Sequence, residues 1–411
     1  MELPYTASEI KPWLASALAK EDLTDFSINI LGNSGKGDGY IGDIIFAKLS
    51  ATTKNNSSKE YNLVLKCGKR SLVLRDKVPV RESFENEIYL YCEVFVAFKQ
   101  FQLDKGIKDI FDSVPKCYGT FTSNNVEVIA LENLKELGFS LYDRKKPLTA
   151  DHLNLIVEEY GKWHAISAAM QDQDLERFTQ LTSGIKDLWR SFKSSMDSIK
   201  FFASPIQEIH DLVKCDVSPN AAEKLENLKS QIEYVMQELI YEKQYFYVIT
   251  HGDCWNNNFM FKYEDATKRK PVKIAMLDWQ LSKFCSPVTD LSYFIYSCIS
   301  SDDLRRFDDV LERYYKSFSD FVRKLGSNPD EIYPFSQFLA DWKVFARFGV
   351  MMALMVMKIA VCDQDEVADL AETVESGLDM SDTFLYDVKD KELLKYRVLC
   401  VVEHIVERDF I

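Results

Sequence analysis

The sequence lacks the features that mark secreted, metal-binding or membrane proteins. Its nine cysteines are an odd number and include no C-x-x-C pair, which argues against a disulfide framework or a zinc site and favours reduced, mostly buried thiols. The amino end has neither a basic nor an apolar segment, so no secretory signal is expected. The most apolar run, Phe348 to Met357, is too short to span a bilayer. We therefore expect a cytoplasmic protein without membrane contacts.

Basic residues are also scarce relative to acidic ones. Lys plus Arg number 50 and Asp plus Glu number 64, which gives a net charge of −14. A chain this acidic repels phosphate backbones, so nucleic acid is not an expected partner, and no feature indicates an obligate protein partner. The 46% hydrophobic and 28% charged residues exclude an intrinsically disordered chain. A length of 411 residues predicts two lobes, which we place at 1–133 and 134–411.

Glycine is scarce outside one segment of the first lobe. Five of the fifteen glycines, at positions 32, 35, 37, 39 and 42, fall within eleven residues. Four strands are expected after them, at 44–49, 61–66, 118–121 and 126–131. Residues 80–101 have helical periodicity, with Phe84, Ile88, Tyr91 and Phe95 on one face. The pattern predicts a small antiparallel sheet with one helix.

The second lobe is mainly helical in its pattern. Helices are predicted at 150–171, 173–200, 203–214, 219–244, 302–325, 335–361 and 364–376. Convincing strands lie only between Tyr247 and Leu277. The predicted fold class is therefore α+β, with a small β-rich lobe followed by a larger helical one.

The motif H-G-D-C-W-N-N-N at 251–258 follows an apolar strand and is the strongest indication of a catalytic site in the sequence. M-L-D-W-Q follows at 276–280, with Asp278 at the end of a second apolar strand. Phosphoryl transfer needs a carboxylate to accept the hydroxyl proton and oxygen ligands to hold magnesium. Asp253 suits the first role, and Asn258 with Asp278 suits the second. His251 alone could equally be a buried core histidine, but both motifs in this order favour a catalytic site.

The first lobe supplies groups that could hold phosphates. Lys66 ends an expected strand, and Glu87 lies on the helix that follows, where it could pair with the lysine. Taken alone, each pattern favours a solvated surface residue, a strand-end lysine for Lys66 and an exposed helix position for Glu87. The segment Gly35–Gly39 lies between strands, so it is neither a Walker loop nor a dinucleotide fingerprint, both of which need a following helix. A strand–loop–strand cover over phosphates is a kinase arrangement.

Taken in order, these features resemble the ecdysteroid kinase-like family of insects, in the choline kinase and aminoglycoside phosphotransferase branch of the protein-kinase-like fold. The resemblance covers nearly the whole chain and includes G-K-G-D at 35–38, F-E-N-E-I at 84–88, L-E-N-L at 131–134, G-K-W-H-A at 161–165 and S-P-V-T-D-L at 286–291. Asn256 and Asn133 depart from the residues that are more usual in the family.

The resemblance implies a bilobal kinase with ATP and Mg²⁺ as cofactors. It implies these roles: Asp253 as catalytic base; Asn258 and Asp278 as metal ligands; Gly35, Lys36, Gly37, Asp38, Gly39, Lys66, Glu87, Glu132, Asn133 and Leu134 around the nucleotide; His251 and Asp290 as supports of the catalytic loop. The expected reaction is phosphorylation of an alcohol of a lipophilic metabolite, most plausibly an ecdysteroid.

Two alternatives remain open at this point. The acceptor could instead be choline, an amino-sugar or a xenobiotic alcohol, because the aromatic residues of the second lobe suit either a sterol pocket or an ordinary helical core. The chain could also be a nucleotide-binding pseudokinase. The intact set of Lys66, Asp253, Asn258 and Asp278 argues against that second alternative.

Overall fold

A computed structural model describes residues 5–34, 39–190, 198–268, 270–363, 366–384 and 386–411. The strands are β1 (Leu23–Asn33), β2 (Gly42–Thr53), β3 (Ser58–Gly68), β4 (Cys117–Ser123), β5 (Val126–Glu132), β6 (Phe139–Leu141), β7 (Val248–Ile249), β8 (Phe259–Tyr263), β9 (Pro271–Met276) and β10 (Phe284–Cys285).

The helices of the first 150 residues are α1 (Ala7–Ala17), α2 (Leu72–Lys77), α3 (Val80–Tyr89) and α4 (Phe95–Asp104). Those that follow are α5 (Ala150–Gln173), α6 (Leu175–Ser183), α7 (Ser198–Val213), α8 (Pro219–Ser230), α9 (Ile232–Gln237), α10 (Pro287–Cys298), α11 (Ser301–Arg305), α12 (Phe307–Lys324), α13 (Pro329–Ile332), α14 (Phe335–Val361), α15 (Leu370–Glu375) and α16 (Lys391–Glu407).

The first half of the chain is built on a five-stranded antiparallel sheet with the order β1-β2-β3-β5-β4. Alternate residues of β2 and β3 point to one face, where Ile45 and Leu65 pack with Ile10 and Leu14 of α1. Residues of β5 pack on the opposite face against Phe84 of α3. The sheet is therefore covered by helices on both faces.

The predicted α+β architecture is confirmed, and the four predicted strands are present with longer bounds. The prediction of one helix in this half is wrong, because α1 and α2 also lie here. The predicted helix at 80–101 is divided into α3 and α4 by a π-helical turn at Leu90–Val94. The predicted apolar face is present despite this turn, because one hydrophobic cluster contains Phe84, Ile88, Tyr91 and Phe95. Lys66 lies inside β3, not at its end.

The second half packs mainly helix on helix around α5, α10, α12 and α14. Helix α14 has the predicted bounds, and although it is long and apolar enough to cross a membrane, 89% of its most apolar window is buried inside the protein. It is a core helix. Several predicted helices are interrupted. The interval 173–200 contains α6, a helical turn at 188–190 and the start of α7, and 191–197 lie outside the described residues. The interval 219–244 contains α8, α9 and a 3₁₀ turn at Leu239–Tyr241.

Two other predicted helices are also reduced. Helices α11 and α12 divide the predicted 302–325 helix at Arg306, whose backbone leaves the helical region. The predicted 364–376 helix begins only at α15, where the side chain of Asp369 caps the amide N–H groups of Ala371 and Glu372. Helix α15 packs on α2, so this late segment contacts the first lobe. The lobe boundary at 133 stays a prediction.

A small second sheet positions the two chemical motifs. Strands β8 and β9 form an antiparallel hairpin in which Phe259 pairs with Met276. The residues beside this pair are Asn258 and Leu277, and the N–H of Leu277 donates to the carbonyl of Asn258 at 2.9 Å. The hairpin therefore brings Asn258 and Asp278 to one end of the sheet, although they lie far apart in sequence.

Candidate active site

The loop after β7 is held by one carboxylate of α10. The backbone N–H groups of His251 and Gly252 donate to the two oxygens of Asp290 at 2.6 and 3.0 Å. Gly252 has a φ of +87°, and a Cβ there would overlap the carbonyl of Leu281, so glycine is required. Burial alone would raise the pKa of Asp290, but its hydrogen bonds with His164 and with the N–H of His251 lower it below its ordinary value. Asp290 therefore stays ionised and braces the loop.

His251 connects this loop to the end of β9. Its Nδ1 accepts from the N–H of Asp253 at 3.2 Å, and its Nε2 lies 2.9 Å from the carbonyl of Leu277. This arrangement is that of a neutral imidazole with the proton on Nε2. Burial lowers the pKa of His251, which favours the same neutral form. The histidine fixes the position of Asp253 relative to the strand that leads to Asp278.

Asp253 has both carboxylate oxygens engaged. Its Oδ2 accepts from Nδ2 of Asn258 at 2.7 Å, and its Oδ1 accepts from the hydroxyl of Tyr293 at 3.0 Å. Burial and then the nearby charge of Asp278 raise the pKa of Asp253 to about 6, while the two hydrogen bonds oppose this rise. The carboxylate is therefore oriented, ionised at neutral pH and more basic than an exposed aspartate.

Lys66 lies between two carboxylates, one from each half of the chain. Its Nζ lies 2.6 Å from Oε2 of Glu87 on α3 and 2.6 Å from Oδ1 of Asp278. Burial alone would lower the pKa of Lys66, but the charges of Asp278 and Glu87 raise it above its ordinary value. The lysine therefore stays charged beside Asp278. Asp278 has a φ of +62°, an uncommon conformation for a non-glycine residue that occurs where the surroundings fix the backbone.

One cleft of about 220 Å³ between the sheet and the helical half is lined by Lys66, Glu87, Asp253, Asn258 and Asp278. The wall opposite the catalytic loop includes Gly39, Tyr40 and the linker residues Glu132, Asn133 and Leu134. The Oδ1 of Asn133 accepts from the N–H of Lys135 and caps the turn that follows. Asparagine and aspartate both cap through a side-chain oxygen, so Asn133 can make the same cap as an aspartate at this position.

The structure brings together most of the residues predicted from the sequence. The cleft is lined by Gly39, Lys66, Glu87, Glu132, Asn133, Leu134, Asp253, Asn258 and Asp278, and His251 and Asp290 lie behind the catalytic loop. Gly35, Lys36, Gly37 and Asp38 lie outside the described residues.

The oxygen donors at the cleft fit a magnesium ion. The amide Nδ2 of Asn258 donates hydrogen bonds to Asp253, so the Oδ1 of Asn258 is available to a metal ion. Asp278 uses its Oδ1 in the contact with Lys66, and its second carboxylate oxygen is available as well. Within the described residues, no group of three or more His, Cys, Asp or Glu could hold a metal by itself. Magnesium is commonly bound by one or two protein oxygens together with substrate phosphates, so two donors are sufficient.

Sequence reasoning missed two residues that support the site. Tyr293 contacts Asp253, and His164 of α5 lies 3.3 Å from Oδ2 of Asp290 and 2.9 Å from the hydroxyl of Tyr314. Tyr293 lies three residues after Asp290, a spacing that places both on neighbouring positions of one helical face. That spacing was a usable signal for Tyr293, whereas His164 is brought in only by tertiary packing.

Two curated proteins are similar to this chain in sequence. The chain is 23% identical over 255 residues to a 4-hydroxytryptamine kinase of Psilocybe cyanescens, covering 59% of this chain and 63% of that protein. It is 22% identical over 258 residues to a 4-hydroxytryptamine kinase of Psilocybe cubensis, with the same coverage. The chain thus spans 63% of the length of these curated relatives.

Two solved structures align over most of this chain with low TM-scores. A GDP complex of an aminoglycoside 2′-phosphotransferase-IIIa mutant is 10% identical with a TM-score of 0.42, covering 98% of this chain and 99% of that one. A glucosamine kinase in complex with glucosamine, ADP and inorganic phosphate is 14% identical with a TM-score of 0.37, covering 96% and 85%. The model of one family matches residues 36–327, more than half of the chain and the whole of the site described above. The chain belongs to the ecdysteroid kinase-like family.

Proposed function

We propose that this protein is an ATP- and magnesium-dependent kinase that phosphorylates a hydroxyl group of a small lipophilic metabolite. The observation that carries the proposal is the convergence of Asp253, Asn258, Asp278 and the Lys66–Glu87 pair in one cleft. Catalysis of phosphoryl transfer is mainly positioning and electrostatic stabilisation, and these residues supply both. The presence of all of them also argues against a pseudokinase.

Each residue has a role that follows from its contacts. Asp253, held by Tyr293 and Asn258, accepts the hydroxyl proton and aims the acceptor oxygen. Lys66 supplies positive charge for the phosphates, and Glu87 holds it in place. A magnesium ion bound by Asn258 and Asp278 would neutralise charge on the phosphate oxygens.

We infer that the acceptor is a neutral, largely apolar alcohol, with an ecdysteroid as the first candidate. Family membership and the apolar side chains of Tyr40, Trp255 and Met260 in the cleft support this choice. A second candidate is the ring hydroxyl of a hydroxylated indole amine, which the names of the two relatives favour. The nine cysteines, all free thiols in the described residues, support a reducing compartment such as the cytoplasm.

The test is a side-by-side assay of ATP-dependent phosphorylation at fixed magnesium. An ecdysteroid, 4-hydroxytryptamine, choline and glucosamine are offered at matched concentrations, and the product is identified by mass. We expect the ecdysteroid to be phosphorylated and choline to be left unchanged. Preference for 4-hydroxytryptamine would select the second candidate. No phosphorylation of any acceptor, with nucleotide binding retained, would favour the pseudokinase.

The metal role has its own test. Asp278→Ala removes an oxygen ligand, so magnesium should no longer strengthen ATP binding. Calorimetry of ATP with and without magnesium measures this effect, with Asp265→Ala on the exposed β8–β9 turn as control. Equal dependence on magnesium in wild type and Asp278→Ala would contradict the assignment.

A further inference from the structure

Arg397 of α16 carries a charge that is buried in the protein. Only 9% of the residue is exposed, its Nη1 reaches the carbonyl of Arg144 at 3.5 Å, and its Nη2 has no hydrogen-bond partner. It forms no ion pair with any carboxylate of the described residues. A guanidinium remains protonated in proteins, so it cannot escape this environment by becoming neutral. An unpaired buried charge is strongly destabilising, which indicates a missing partner.

This arginine lines a cavity of about 80 Å³ that lies apart from the nucleotide cleft and shares no lining residue with it. The cavity lies between the end of α10, α11, α14 and α16. Ser297 also lines it, and its hydroxyl is buried without a partner. Ser301 and Tyr396 contribute a further pair of hydroxyls that lie 2.9 Å from each other.

The cavity wall carries a positive charge, whereas the protein as a whole is acidic. Among the described residues that line it, none is Asp or Glu, and Arg397 is the charged one. Asp143 acts on Arg397 through space, but its carboxylate is engaged by Lys145 and Lys146. Excess donors, a fixed positive charge and a lining without Asp or Glu are the features of an anion site, not of a cation site.

We propose that this cavity binds a small oxyanion, either phosphate or sulfate or the carboxylate of a small metabolite. The planar guanidinium of Arg397 donates to one or two oxygens, and the hydroxyl of Ser297 donates to another. A single water needs about 10–15 Å³ of such volume, so the cavity has room for a group of this size. Water alone would satisfy the hydrogen-bond donors but would leave the charge unpaired.

The experiment measures the melting temperature of the full chain in sodium phosphate, sulfate, acetate and chloride at matched ionic strength. Phosphate or sulfate should raise Tm above its value in chloride, and a comparable rise in acetate would indicate a carboxylate ligand. Arg397→Met should abolish the rise and should weaken the measured affinity by at least about tenfold, because a hydrogen-bonded charge is lost. Ser297→Ala should weaken it by about twofold to tenfold.

Two controls separate this cavity from other sites. Lys66→Met removes the cation of the nucleotide cleft and should retain the rise in Tm, so the inference is independent of the proposed kinase activity. Arg306→Met, at a surface ion pair with Asp309, should also retain it. A crystal soaked in selenate should give an anomalous peak beside Arg397, which tests the site without any variant. An equal rise in Arg397→Met, no difference between oxyanions and chloride, or no selenate peak at Arg397 would overturn the proposal.

Discussion

Asp253 is the residue on which the proposed chemistry depends most directly. Asp253→Asn keeps the size of the side chain but removes the proton acceptor, and such acid–base assistance is worth about 10²–10⁴-fold in rate. We expect turnover to fall by this factor while nucleotide affinity changes little, as measured by steady-state kinetics and calorimetry. Asp265→Asn, on the exposed β8–β9 turn, is the matched control. Turnover near that of wild type in Asp253→Asn would show that another group accepts the proton.

The burial of His404 leads to a prediction about how the stability of the protein depends on pH. It is buried against Phe307 and Phe410, and burial, with the charge of Arg408, lowers its pKa to about 4. The unfolded chain therefore binds a proton near pH 6.5 that the folded chain does not bind above about 4. Stability should fall as pH decreases through this window, by at most about 1.4 kcal/mol per pH unit from this group.

The test is the variant His404→Phe, which places a third phenyl ring in this aromatic cluster. Urea unfolding at pH 7.5, 6.0 and 5.0 should give a free-energy advantage of the variant over wild type that grows as pH falls. The difference at pH 7.5 is the control, because His404 is then neutral in both the folded and unfolded states. A difference that is constant over the three pH values would show that His404 does not contribute to acid sensitivity.

At the scale of elements, several features missed from the sequence had local signals. Strand β1 alternates Phe26, Ile28 and Ile30, and these side chains all pack on the α1 side of the sheet. Helix α1 begins with a capping box formed by Thr6 and Glu9. Pro12, the sixth residue of that helix, lacks the N–H that would donate to the carbonyl of Ser8 and so argues against helix in a sequence-based assignment, yet the helix continues to Ala17.

Other features depend on contacts that no local pattern contains. The motifs at Asp253 and Asp278 could be predicted because each is a short loop next to an apolar strand. The contact of Lys66 with Asp278 requires the two halves of the chain to meet. The role of His164 likewise depends on packing of α5 against α10. Among the supporting residues, Glu87, His251 and Asp290 were predicted from the sequence, whereas Tyr293 and His164 were not.

The arrangement of the site also requires helices α10 and α14 to pack closely against each other. Gly349 of α14 lies against α10, and a Cβ at this position would overlap the backbone N of Tyr293. Gly349→Ala should cost about 1–3 kcal/mol of stability through overpacking. Because α10 carries both Tyr293 and Asp290, its displacement should also lower turnover.

Denaturant unfolding and kinetics of Gly349→Ala measure both effects. Leu339→Ala on the same helix is the control, since Leu339 is 37% exposed and should give small changes. A variant with reduced stability and unchanged turnover would show that α10 can shift without moving Asp253. Unchanged stability would contradict the packing argument itself.

At the scale of the whole molecule, the segment 366–384 links the end of the chain to its beginning. Leu370 and Val374 share a buried cluster with Leu74 and Phe84 of the first lobe. The ion pair of Lys69 with Asp369 lies at the same junction. The two halves of the chain are therefore joined by a core of their own in addition to the cleft.

Because of this junction, we expect a substitution in the segment 366–384 to destabilise the first lobe as well. Leu370→Ala should lower the free energy of unfolding by about 2–5 kcal/mol, because it leaves a cavity in the shared cluster. Amide hydrogen exchange should become faster in α2 and α3 as well as in the segment itself. Nucleotide affinity should also fall, since α3 carries Glu87, the partner of Lys66.

Leu378→Ala is the matched control, because Leu378 lies in the same segment but is 52% exposed. It should change stability by less than about 0.5 kcal/mol, as surface substitutions usually do. Faster exchange confined to 366–384 in Leu370→Ala would show that the segment is not part of the core that stabilises the first lobe. Faster exchange in α3 with unchanged nucleotide affinity would show that the pairing of Lys66 with Glu87 does not depend on this core.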